Sequence, residues 1–111
     1  MKERNFKLYL KDILDAIEKI ERYVKNLSLE DFTKNELVID AVIRNFEIIG
    51  EASKNIPDDL KLSYPDIPWK EMTGMRNKMI HEYFGVDLDI VWKTVKTRLP
   101  QLAAVLKDIY E

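Results

Sequence analysis

The sequence has no cysteine, which excludes a disulfide framework and a thiolate zinc site. It has one histidine, His81, so a histidine-rich metal site within one chain is excluded as well. Three glycines and four prolines leave little room for tight hairpins or a glycine-rich phosphate loop, and helices are the expected alternative. No apolar run approaches the roughly 20 residues of a membrane span. The N-terminus is charged and leads into an amphipathic pattern, which is not the layout of a signal peptide. The expectation is a soluble cytoplasmic protein without a membrane role, a metal or a cofactor. An excess of charge of one sign is also missing. The 18 basic and 20 acidic residues nearly cancel. That argues against the overall basic field of many nucleic-acid binders, while a local basic patch stays open.

What the chain does have is helical periodicity. Its 111 residues suit a single domain, 1–111, with one core. Phe6, Leu10, Ile13, Leu14, Ile17, Ile20 and Val24 recur at spacings of three and four, predicting an amphipathic helix from Phe6 to Val24. Ser28 to Phe32 reads as one capped turn. Thr33-Lys-Asn-Glu36 fits a capping box that opens a helix running to about Asn55. Val38, Ala41, Val42, Phe46, Ile49 and Ala52 are its expected core face, and Asn45 points into that face and needs a partner. Ile43 and Gly50, on the other side, mark either a second contact surface or a stray exposed pair. Three prolines between Ile56 and Lys70 predict a short helical turn and a loop. Asp87 is a natural N-cap for the last helix, which Pro100 should kink rather than abolish. The expected fold is all-α, a four-to-five-helix bundle.

The unusual stretch is Met72 to Tyr83. Run as one helix, it places Met72, Met75, Met79, Ile80 and Tyr83 on a broad apolar stripe with Arg76 near its middle. A charge aimed into an apolar face is costly unless it is paired, and Glu47 and Glu51 are the available carboxylates. Asn77 lies four residues before His81, on the same face. Two readings of the pair stand side by side. In one, Arg76 is half of a buried ion pair and His81 interacts with the last carbonyls of its helix. In the other, Arg76 binds phosphate through its planar fork and His81 moves a proton near neutral pH. The second suits cleavage of RNA, where the 2′-hydroxyl is the nucleophile and no metal is required. A base takes its proton, an acid protonates the leaving 5′-oxygen, and the arginine stabilises the developing charge. Arg76 and His81 are about 140° apart around a straight helix and about 7.5 Å apart along it. One histidine also cannot easily serve as both base and acid in one step. A catalytic reading therefore predicts a two-fold homodimer that brings two copies of each residue into one cleft.

Arg76-Asn-Lys-Met-Ile-His81 resembles the Arg-x4-His motif of the HEPN-domain ribonucleases. Its extension to Tyr83 resembles the HepT toxins. The stretches Ile48 to Lys54, Ile67 to Trp69, Gly74 to Asn77 and His81 to Phe84 are typical of that group, in this order. The resemblance implies an all-helical, dimeric, metal-independent endoribonuclease that acts as the toxin of a type II/VII-like toxin–antitoxin pair. It implies Arg76 and His81 as the catalytic pair in a cleft between protomers. It further implies a nucleotidyltransferase-type antitoxin that silences the toxin by transferring AMP to Tyr83. Asn77, Glu47 and Glu51 are expected to support the pair. The alternative is a non-catalytic helical partner of such a nucleotidyltransferase, which the acidic net charge favours.

Overall fold

The computed structural model describes residues 5–78 and 87–111. Within them the chain forms α1 (Phe6–Val24), α2 (Leu29–Thr33), α3 (Glu36–Lys54), α4 (Asp58–Ser63) and α5 (Trp69–Thr73). Residues 75–78 are helical. They are followed by α6 (Leu88–Lys93), a π-helical turn (Thr94–Arg98) and α7 (Leu99–Tyr110). There is no strand among the described residues, so the all-α expectation holds. The continuation of the Met72 to Tyr83 stretch past Lys78 lies outside the described residues.

The helix α1 has the bounds its periodicity predicts. Asn5 caps it by accepting from the Lys7 amide, and Leu10, Ile13, Ile17 and Ile20 are fully buried. Its long partner is α3, and α7 packs on α1 as well. Each fully buried Leu, Ile or Phe contributes about 1.5–3 kcal/mol relative to exposure. The shared core therefore holds these three helices together without covalent staples.

The start of α3 differs from expectation. Thr33 closes α2, where its hydroxyl donates to the Glu30 carbonyl. Asn35 caps α3 instead, accepting from the Val38 amide at 3.1 Å. Ser28 and Asp31 make the reciprocal capping box one helix earlier.

Burial on α3 is two-sided. Val42, Phe46 and Ile49 are fully buried, and Ile43 and Gly50 on the second side are buried as well; α5 packs on α3, with the Thr73 carbonyl against Gly50. The second contact surface is therefore real. Asn45 is buried and donates to the Ala41 carbonyl at 2.9 Å. The incoming loop is pinned by Trp69, whose indole N–H donates to the Tyr64 carbonyl at 3.1 Å. Pro68 stands one position before the first residue of α5, as its N-cap.

Irregularity in the last helix sits just ahead of Pro100. The Leu99 amide reaches back five residues to the Thr94 carbonyl. Pro100 has no N–H, and its ring crowds the carbonyl four residues earlier. A widened turn relieves that crowding while the chain stays helical. Arg98, on the widened turn, bonds Glu71 of α5 at 2.5 Å and ties the two elements together.

Candidate active site

The site is built where α5 crosses α3. Gly50 makes the crossing close. A Cβ there would stand 3.2 Å from the Thr73 carbonyl oxygen and 3.3 Å from the Arg76 Cβ. The stem of Arg76 therefore begins against the backbone of α3. Its charged end turns outward, and the side chain is 56% exposed. This corrects the expectation of a charge pointed into the apolar stripe. Gly74, between α5 and the helical residues 75–78, keeps a right-handed helical conformation, so the Arg76 Cβ still faces α3 at Gly50. Met72 and Met75 are both buried. The long side chain packs its base and keeps its guanidinium in water.

Arg76 Nε donates to Glu47 Oε2 at 3.3 Å. Of the two candidate carboxylates, Glu47 is the partner. Glu51 lies one turn further along α3 with its side chain exposed and makes no ion pair with Arg76. Because only Nε is held, the two terminal nitrogens take no partner among the described residues. They form the end of the fork that can grip two oxygens of a phosphate. Asn77 is exposed beside Arg76. His81 and Tyr83 lie outside the described residues, and so does the expected contact between Asn77 and His81. No group of three or more metal-ligating side chains occurs among the described residues. No helix among them is long and apolar enough to cross a membrane.

A groove of about 210 Å³ runs beside this pair, between α1 and α3. Tyr9 and Asp12 of α1 line one side, and Arg44, Glu47, Ile48 and Glu51 line the other. Glu47 thus belongs to both the groove and the arginine pair. Sequence reading offered Glu51 only as a partner for Arg76 and did not join it with Arg44 in a cavity. The available signal was their spacing of seven residues around Ile48, which puts all three on one side of the helix.

A family model described as Ribonuclease HepT-like matches residues 13–109 of the chain. The chain is 54% identical over 100 residues to a Thermococcus cleftensis protein named "Probable ribonuclease HepT", covering 90% of this chain and 91% of that one. It is 44% identical over 113 residues to a Methanocaldococcus jannaschii protein named as a "Putative RNase", covering 98% and 93%. A Caldanaerobacter subterraneus protein with the same printed description is 44% identical over 103 residues, covering 93% and 92%. No solved structure matches the chain.

Proposed function

The chain belongs to the HepT-like ribonuclease family, and from that membership we propose that it is a metal-independent endoribonuclease whose site pairs Arg76 with His81. The observation that carries this reading is Arg76 itself. Its guanidinium is outward, steered through Nε by Glu47, with its fork free among the described residues. A fork left open to solvent is available to a phosphate.

In the proposed reaction the RNA 2′-oxygen attacks the adjacent phosphorus as its proton passes to one imidazole. The bond from phosphorus to the 5′-oxygen breaks, and a second imidazole, protonated, gives its proton to that oxygen. The products are a 2′,3′-cyclic phosphate and a free 5′-hydroxyl. Arg76 stabilises the charge that develops on the phosphoryl oxygens. Two His81 side chains are needed at once, and a two-fold homodimer supplies them. Regulation follows the same logic. A nucleotidyltransferase antitoxin that attaches AMP to Tyr83 would place phosphate where it competes with RNA for Arg76. The physiological role is then that of a toxin restrained by its partner.

The test compares RNA cleavage by wild type, Arg76→Ala and His81→Ala, with chelator present throughout. Cleavage by wild type that both variants lose is the expected result. Equal cleavage by all three would remove the pair from catalysis. RNA left intact by wild type that still binds a nucleotidyltransferase would point to the non-catalytic module.

A further inference from the structure

We propose that the groove beside Arg76 is a base-reading subsite that selects guanine in single-stranded RNA. This rests on the ribonuclease reading above and adds a specificity to it. The location comes first. Glu47 lines the groove and also holds Arg76 at 3.3 Å. Because one carboxylate borders both, a phosphate held by Arg76 would lie next to the groove.

Size comes second. A volume of about 210 Å³ is below the roughly 300–1,000 Å³ of cavities that take drug-sized ligands. It suits one planar base and not a folded helix of nucleic acid. Half-buried Ile48 and Tyr9 give it apolar lining, the surface on which a base taken from single-stranded RNA can stack.

Chemistry selects the base. Arg44 and Glu51, both exposed, bracket Ile48 along one face of α3. An arginine fork offers two parallel donors, and a carboxylate offers two acceptors. Guanine carries O6 and N7 for the first and N1–H with the N2 amino group for the second. No other RNA base presents an acceptor pair and a donor pair in that arrangement.

The experiment measures binding of wild-type protein to 2′-O-methyl pentanucleotides that differ only in the central base. The methyl group blocks attack by the 2′-oxygen, so binding is read without cleavage. Guanine should be preferred by about tenfold or more, the size of one good bidentate contact. Arg44→Ala and Glu51→Gln should each reduce guanine binding towards the level of the other bases, with an unchanged melting temperature. Arg76→Ala should weaken all four about equally. Equal affinity of wild type for the four bases would overturn the proposal. So would discrimination that survives both groove substitutions. Loss of discrimination that always accompanies a change in oligomeric mass would make the groove a protein interface and overturn it too. Cleavage of the matching unmodified oligonucleotides is scored separately. Guanine-selective binding with no cleavage would defeat the ribonuclease reading alone, and cleavage without base preference would defeat the subsite alone.

Discussion

A half-exposed arginine held at Nε gains direction from its carboxylate more than it gains stability. Ion pairs of this kind contribute about 0–1 kcal/mol. Arg76 is 56% exposed and Glu47 28%, so their pair belongs to that class. Glu47→Gln should therefore leave the melting temperature within a few degrees of wild type. It should also lower kcat for RNA cleavage, by about tenfold, because the fork is no longer steered towards the reacting phosphate. KM should not rise, since a negative charge near the phosphate has been removed. A several-degree loss of stability with kcat unchanged would make Glu47 a purely structural residue. Ser53 is the opposite case. It is fully buried on α3, and its hydroxyl has no hydrogen-bond partner among the described residues. An unpaired buried hydroxyl costs about 1–3 kcal/mol of desolvation, and Ser53→Ala removes it without opening a large void. The variant should unfold at higher denaturant concentration than wild type, with the same slope. A lower midpoint would mean that the hydroxyl is paired in solution.

Elements meet most tightly at Gly50, and there two effects oppose each other. Alanine in place of a mid-helix glycine favours α3 by about 1 kcal/mol. Its Cβ would crowd the Thr73 carbonyl at 3.2 Å and the Arg76 Cβ at 3.3 Å. The segment carrying Arg76 must then give by a few tenths of an ångström. Gly50→Ala should be nearly neutral in stability and impaired in cleavage, whereas Gly50→Val should lose both. Undiminished cleavage by Gly50→Val would mean that the crossing does not position Arg76. The same crossing explains how far the elements were legible from sequence. The bounds of α1 follow from its unbroken three-and-four spacing. Thr33 and Asn35 are both short polar residues able to cap, and α2 uses the Thr33 hydroxyl in its own last turn. A one-faced reading of α3 finds Val42, Phe46 and Ile49 but leaves Ile43 and Gly50 undecided, because only the fold shows that both are buried, with the Thr73 carbonyl against Gly50. Arg76 was identified as the residue to explain. Its Cβ faces α3 as the wheel places it, but a wheel does not show that the long stem carries the guanidinium out to water.

At the scale of the whole molecule the open relation is between copies. One chain supplies one His81, while concerted cleavage calls for a base and an acid together. If both come from His81 side chains in one cleft, a dimer with one altered protomer has lost half of its proton-transfer machinery. If each protomer works alone, the unaltered one keeps its full rate. Wild type and His81→Ala chains mixed in equal amounts under denaturant and refolded together pair at random, giving about one quarter fully wild-type dimers. Cleavage by the mixture, per total protein, should then fall to about one quarter of the wild-type value under the shared-cleft arrangement, and to about one half for independent protomers. The composition of the mixed dimers is checked by native mass spectrometry, and their equal stability by thermal melts. A value near one half would confine the chemistry to single chains. A value near one quarter would mean that each productive site needs a His81 from both copies.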